Sequence, residues 1–175
     1  RERGDPLDRF VERVSDYGAT VRMTRDVAAA VAEACRVHGV SRLAVPADVP
    51  AAWLPSGVDA VEDAPLEVGE LDRIGAALTG CALAIAETGT IVLDAGPRQG
   101  RRVLTLVPDL HVCVLEAAQV VDGVPAALRL LADRMRTSRR PLTFVSGPSA
   151  TSDIELSRVE GVHGPRRLEV VIAQS

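Results

Sequence analysis

Apolar residues along the chain recur in two patterns, one with helical spacing and one of short continuous or alternating runs. The helical spacing predicts helices over residues 7–17, 25–38, 70–78, 97–105 and 124–136, with one or two helical turns within 48–54. The extended pattern predicts strands over residues 19–23, 42–45, 58–61, 82–86, 90–93, 111–115, 142–145 and 168–172. Strands therefore alternate with helices for most of the length.

Several predicted helix ends carry residues that favour starting or stopping a helix. Thr24 is the predicted cap of the second helix, and Gly80 is predicted to end the third. Asp122 stands where it can cap the helix over 124–136. These residues set the element boundaries on which the predicted fold depends.

The alternation of strands and helices predicts an α/β fold with helices covering both faces of one sheet. The segment Glu87-Thr88-Gly89 departs from it, because it joins two apolar runs by a tight connection that is typical of a hairpin. A hairpin adds an antiparallel pair, so we expect a mixed sheet. No repeat or linker interrupts the 175 residues, and we expect one domain spanning 1–175.

The composition excludes one large class of partner. Hydrophobic residues make up 47% of the chain, but only four residues are aromatic, so the core must be built from aliphatic side chains. The net charge is −4. Nucleic-acid-binding proteins usually combine a basic balance with aromatic stacking platforms, and this chain has neither. We therefore expect no nucleic-acid partner.

All 20 basic residues are arginines. Without lysine the chain has no Schiff-base chemistry, no Walker-type phosphate loop and no protein-kinase site. Codon usage in a GC-rich genome is the simplest cause of the absence. The consequence is chemical all the same, because any anionic ligand must be bound by arginine, histidine, hydroxyl groups or backbone N–H groups.

The cysteines and the apolar runs bear on cofactors and location. Cys35, Cys81 and Cys113 are widely spaced and form no C-x-x-C motif, which predicts reduced thiols, no metal site and no cofactor held by this chain alone. The longest uncharged apolar run, residues 74–86, is shorter than the roughly 20 residues needed to span a bilayer. We expect a cytoplasmic protein without a membrane partner. Because the chain starts at Arg1, we also expect N-terminal sequence to be missing.

Glu87 is the first candidate for chemistry, because it interrupts a long apolar stretch. A carboxylate that enters a sheet core must be paired, hydrogen-bonded or protonated, and such a group is a candidate base or nucleophile. The alternative is an ordinary turn glutamate. The neighbouring Thr88, Gly89 and Thr90 are candidate ligand-binding residues in the first case and turn residues in the second.

A loop rich in glycine, proline and hydroxyl groups follows the strand over 142–145. Ligands in open α/β sheets bind beyond the carboxyl ends of strands, where a small-residue turn can aim backbone N–H groups at an anion. The candidate binding residues here are Ser146, Gly147, Ser149, Thr151 and Asp153. The alternative is a loop that caps a helix starting near Asp153.

Two basic segments complete the candidates. His163 stands between glycines, where an imidazole can reach a ligand and titrate near neutral pH, and Arg166 can bind an anion bidentately. The alternative is a solvated turn. Arg98, Arg101 and Arg102 can likewise complete an anion site or form a solvated helix face. His111, at the head of an apolar strand, is ambiguous, and a core or strand-end role is the favoured interpretation.

Two long motifs taken together resemble a known family. AETGTIVL at residues 86–93 and SGPSATSDIE…GVHGPRRLEVVI at residues 146–172 are similar to the LUD domain, the domain of the lactate utilization protein C family. A P-x-x-H-V segment at residues 108–112 stands between them in the matching order. The resemblance covers most of the chain from about Leu71 onward.

The resemblance implies a Rossmann-like mixed-sheet fold of the ribose-5-phosphate isomerase and coenzyme A transferase group. It implies a role in oxidising L-lactate to pyruvate together with iron–sulfur partner subunits. Glu87 matches the position of the glutamate nucleophile of coenzyme A transferases, although those enzymes place Asn-Gly after it and Thr88-Gly89 follows here. Catalytic roles for Glu87 and His163 are therefore carried as expectations.

Three functional hypotheses follow from the sequence. The first is a component of a lactate-oxidising complex that binds a small carboxylate or phosphate or organises iron–sulfur subunits. The second is a free-standing enzyme that acts on a small phosphorylated or CoA-linked acid through Glu87. The third is a regulatory or interaction module without chemistry. A homo-oligomer is compatible with all three.

Overall fold

The computed structural model describes residues 4–138, 140–152, 158–160 and 164–174. The α-helices of these residues are α1 (Pro6–Asp16), α2 (Val27–Val37), α3 (Val68–Ile74) and α4 (Val124–Ser138). The strands are β1 (Thr20–Thr24), β2 (Arg42–Val45), β3 (Asp59–Glu62), β4 (Ala76–Thr79), β5 (Leu83–Ile85), β6 (Thr90–Leu93), β7 (Leu110–Glu116), β8 (Val120–Val121), β9 (Thr143–Val145), β10 (Ala150–Ser152), β11 (Arg158–Glu160) and β12 (Arg167–Ala173). Short 3-10 helices cover Ala51–Trp53, Arg102–Thr105 and Ala117–Gln119.

The main layer is a six-stranded sheet in the order β1-β12-β7-β4-β2-β3, and all its strand pairs are parallel. Its central strands are buried on both faces, as expected for parallel strands covered on either side. Helix α2 packs on one face, where Val31 and Cys35 contact residues such as Val112. The α/β class predicted from the sequence is confirmed.

The other face of the parallel sheet is covered by α1, α3 and a second sheet, so the predicted helices on both faces are present. The second sheet has the order β8-β5-β6-β9, with β5–β6 and β6–β9 antiparallel. Alternate residues of the β5–β6 hairpin point to opposite sides: Ile91 packs with α1 and the parallel sheet, whereas Val92 packs with Leu131 of α4. The prediction of one mixed sheet is wrong, because a hairpin with two apolar faces forms its own buried layer.

Two boundaries also differ from the sequence prediction. The helix predicted over 70–78 ends at Ile74, because Gly75 adopts a left-handed conformation with φ 75° and its N–H donates to the Leu71 carbonyl. Residues 76–79 then form β4. The cap of α2 is Asp26 rather than Thr24, since the Asp26 carboxylate accepts from the Ala29 N–H at 2.9 Å.

The arginine-bearing helix predicted over 97–105 is largely absent. Positive φ angles at Ala95 (51°), Arg98 (63°) and Gly100 (64°) interrupt a regular helix, and only Arg102–Thr105 forms a 3-10 turn. This turn brings Arg102 to the amino-terminal edge of the parallel sheet, where the candidate site lies.

Candidate functional site

The cavity richest in the predicted loop residues lies between the two sheets. It has a volume of about 270 Å³. One wall is the amino-terminal end of β7 and β12, through His111 and Leu168, and the opposite wall is β9 with the loop that follows it. The cavity therefore lies beyond the carboxyl end of β9, but at the amino edge of the parallel sheet. Its lining residues are Arg102, Thr105, His111, Thr143, Phe144, Val145, Ser146, Gly147, Pro148, Ser149, Gly164, Pro165 and Leu168.

Arg102 brings a positive charge to this cavity. Its guanidinium is partly buried, and its Nη1 donates to the carbonyl oxygen of Thr105 at 3.0 Å and to the Thr105 hydroxyl. That hydroxyl donates in turn to the Arg102 carbonyl at 3.1 Å, which closes the 3-10 turn. Burial lowers the pKa of Arg102, but an arginine remains a cation at neutral pH. In the described part of the chain, no carboxylate forms an ion pair with Arg102.

His111 is a buried, neutral imidazole beside this charge. It is only 2% exposed, and burial, followed by the charge of Arg102, lowers its pKa to about 4. Its Nε2 lies 2.8 Å from the hydroxyl oxygen of Thr79, at the end of β4. The contact between Thr79 and His111 thus joins two strands of the parallel sheet, and of these two residues His111 lines the cavity.

A chain of hydroxyl groups links the hairpin turn to the cavity. The Thr88 and Thr90 hydroxyl oxygens lie 2.7 Å apart, and Thr90 lies 2.7 Å from the Ser146 hydroxyl. The pairing of β6 with β9, in which Ile91 stands opposite Val145, produces this approach. The Thr88–Thr90 turn is therefore joined to the Ser146 loop by a hydrogen bond between Thr90 and Ser146, which are 56 residues apart in sequence.

The loop after β9 is held by contacts at both ends. Gly147 has φ 106°, and a Cβ there would lie 2.6 Å from the Cβ of Tyr17, so glycine is needed for the close approach. The Ser149 N–H donates to the Pro165 carbonyl at 2.7 Å. These contacts orient Ser146 and Ser149 along the cavity wall.

Glu87 is not part of this cavity, nor is it buried. It lies exposed in the turn between β5 and β6, so the turn interpretation of its position is confirmed. It lines a separate cavity of about 230 Å³ with Arg9, Arg13, Ala86 and Asp122, in which Arg9 pairs with Asp122. Its catalytic role stays a prediction.

The remaining candidates are placed as follows. Arg166 forms an ion pair with Asp109 at 3.6 Å and does not line the cavity. Thr151 lies in β10, paired with Val159 of β11. Asp153 and His163 lie outside the described residues.

The other two arginines of the 98–102 group have structural partners. Arg98 lies over the Trp53 ring, 5.3 Å from its centroid, and is 3.5 Å from Glu116. Arg101 pairs with Asp63 and donates to the Leu66 carbonyl at 2.8 Å. Arg102 alone of the three lines the cavity beside the Ser146 loop.

Sequence reasoning missed Thr79, Thr105 and the role of His111 in this site. Thr79 and Thr105 gave no signal, because a single threonine at the end of an apolar segment is common. His111 carried a weak signal, since a titratable side chain opens an otherwise apolar strand. The residues around His111 depend on the order of the strands in the sheet, which the sequence pattern did not predict.

Comparison with known proteins identifies the family. The family model of the LUD domain matches residues 67–173, which contain every residue of the cavity. The chain belongs to the LUD domain family. Within this LUD domain, the ETGT hydroxyls and the SGPS loop are the two motifs that meet at Thr90 and Ser146.

Relatives of this LUD domain include named proteins and a solved structure. Lactate utilization protein C of Deinococcus radiodurans is 50% identical over 173 residues, which cover 97% of this chain and 80% of that protein. Lactate utilization protein C 1 of Bacillus mycoides is 33% identical over 93 residues, covering 51% of this chain and 39% of that protein. A crystal structure of a DUF162 family protein from Deinococcus radiodurans matches with a TM-score of 0.84 and 40% identity over 99% of both chains.

Two further observations concern the described part of the LUD domain. None of its helices has the length and apolarity to cross a bilayer. Among the same residues, no group of three or more histidine, cysteine or acidic side chains is arranged to hold a metal ion.

Proposed function

We propose that this LUD domain is a component of an L-lactate utilization system and binds the carboxylate shared by L-lactate and pyruvate. The names of the relatives support the pathway, since lactate utilization protein C of Deinococcus radiodurans is 50% identical to this chain over 97% of this chain and 80% of that protein. The site supports the ligand class, because the cavity combines one cation with neutral hydrogen-bonding groups.

The position of Arg102 is the observation on which this proposal rests. Both of its hydrogen bonds to Thr105 use Nη1, which leaves Nε and Nη2 for a planar carboxylate. A partly buried guanidinium without a carboxylate partner among the described residues is the arrangement expected of an anion site. Ser146 and Ser149, which both carry neutral hydroxyl groups, line the same cavity.

The size of the cavity favours a small acid. Its volume of about 270 Å³ lies just under the range of roughly 300–1,000 Å³ that is typical of pockets for drug-sized ligands. A three-carbon acid can be enclosed there, whereas the nucleotide part of a CoA ester would have to lie outside.

Oxidation of lactate to pyruvate releases two electrons and two protons. We propose that the electrons pass to iron–sulfur partner subunits, as the family resemblance implies. The three cysteines are buried, and Cys35 packs in a different core cluster from Cys113. The assembly is proposed to be cytoplasmic.

The finer fold assignment is also a proposal. A parallel sheet with a second sheet packed against it is compatible with the ribose-5-phosphate isomerase and coenzyme A transferase group. Glu87 does not support a CoA-linked or phosphorylated substrate in the Arg102 cavity, because it lines a different cavity.

Replacing Arg102 tests the ligand class. Arg102→Gln removes a charge-assisted hydrogen-bond donor, and we expect the affinity for L-lactate, measured by calorimetry, to fall at least about tenfold. Arg36→Gln removes the same charge from an exposed arginine that pairs with Glu33, and it should leave the affinity unchanged. Equal binding by wild type and Arg102→Gln would contradict the proposal.

A further inference from the structure

The hydrogen bonds of Thr79 determine which nitrogen of His111 carries the proton. The Thr79 hydroxyl donates to the Gly80 carbonyl at 2.9 Å and also contacts Nε2 of His111 at 2.8 Å. A hydroxyl has one hydrogen, so once it donates to Gly80 it must accept from His111. The Nε2 atom therefore carries the hydrogen, and Nδ1 of the neutral ring is a free acceptor.

The Nδ1 atom differs from Nε2 in its hydrogen bonding. Among the described residues, the contact of Nε2 with Thr79 is the side-chain hydrogen bond that His111 forms, and Nδ1 has none. Among the same residues, the buried polar side-chain atoms without a partner comprise Nε of Arg9 alone. Since Nδ1 of His111 is not one of them, it keeps some accessible surface, and the ring to which it belongs lines the cavity.

The pair formed by Arg102 and His111 distinguishes between ligands of the same size. A cation at one point selects a carboxylate, and an acceptor beside it selects a neighbouring group that can donate a hydrogen. A 2-hydroxy acid carries both groups. A 2-oxo acid offers only acceptors, so its carbonyl oxygen would face the lone pair of Nδ1.

We propose that this cavity selects a 2-hydroxy carboxylate over the corresponding 2-oxo acid, with Arg102 binding the carboxylate and Nδ1 of His111 accepting the hydroxyl hydrogen. Thr79 is the positioning residue that fixes the tautomer. The proposal rests on the proposed function and deepens it, because it assigns the hydroxy acid rather than the oxo acid as the bound species.

The tautomer is tested in the protein without any ligand. Long-range proton–nitrogen NMR spectra of ¹⁵N-histidine-labelled protein at pH 7 report which ring nitrogen is protonated. We expect His111 to carry its hydrogen on Nε2, identified by the loss of its signals in His111→Phe. A hydrogen on Nδ1, or a doubly protonated ring, would overturn the proposal.

The selection is tested with three probes of similar size, namely L-lactate, pyruvate and propionate, titrated into the wild-type protein. One additional neutral hydrogen bond predicts that L-lactate binds about fivefold more tightly than either of the others. Equal binding of all three, abolished in Arg102→Gln, would overturn the selection and leave the proposed carboxylate site intact. Binding of none would overturn both.

Variants of Thr79 separate positioning from simple support. Thr79→Val keeps the shape of the side chain and removes the hydroxyl, so we expect His111 to lose its single tautomer and the preference for L-lactate over propionate to disappear. Thr79→Ser should retain both. A Thr79→Val protein with the wild-type tautomer and preference would contradict the role of Thr79.

Discussion

Gly89→Ala should be among the most destabilising single-methyl additions in this protein, with a loss of about 3 kcal/mol in the free energy of unfolding. Gly89 has φ 60°, where an L side chain is strained. A Cβ there would lie 2.6 Å from the Val14 nitrogen and 2.7 Å from the carbonyl carbon of Arg13. Because backbone atoms of α1 cannot yield as a side chain does, the helix must shift away from the hairpin.

Gly39→Ala is the matched control. Gly39 has a similar φ of 67°, but no atom lies within 4 Å of the position of its Cβ. Its cost is the backbone strain alone, about 1 kcal/mol. Urea unfolding of both variants at pH 7 gives the comparison, and equal losses would show that α1 does not pack against the turn as closely as described.

The stability of the wild-type protein should fall as the pH drops from 7 to 5, and His111 should supply about 2 kcal/mol of that fall. The pKa of His111 is about 4 in the folded protein, against an ordinary value near 6.5. Between these two values the unfolded chain binds a proton that the folded protein does not. Stability is therefore greatest above pH 6.5 and decreases as the pH falls toward 4.

His111→Asn removes this titration and keeps a polar side chain. The difference in unfolding free energy between pH 7 and pH 5, measured by urea denaturation, should be smaller in the variant by about 2 kcal/mol. The hydrogen bond with Arg101 lowers the pKa of Asp63 below its ordinary value near 4. Its titration therefore lies outside the range from pH 7 to pH 5. Identical pH dependence in both proteins would mean that His111 is not buried and neutral.

Local sequence patterns predicted most of the individual elements. The helical spacing before Gly18, the strand at residues 42–45 and the hairpin around Thr88 all follow from side-chain period and turn residues. The helix predicted over 70–78 was too long, because the sequence allows two positions for its end. Gly75 and Gly80 can each end a helix, and the helix ends at Gly75 because residues 76–79 form a strand between β2 and β7.

The candidate site was only half predictable, for a different reason. The Ser146 loop was identified as a candidate because it is rich in small and hydroxyl residues. The partners across the cavity depend on strand order, because β7 reaches the site through the parallel sheet and β6 through the second sheet. No local pattern brings His111 or Arg102 to Ser146, and Glu87, which the burial argument selected, lines a separate cavity.

Reconstitution of lactate oxidation tests the central claim most directly. The purified chain, combined with candidate iron–sulfur partner subunits, is assayed for lactate-dependent reduction of a dye at lactate concentrations below saturation. We expect no dye reduction without this chain. The rate should be unchanged in Arg36→Gln and should fall at least about tenfold in Arg102→Gln. Equal rates with the partners alone, or with Arg102→Gln, would contradict the account.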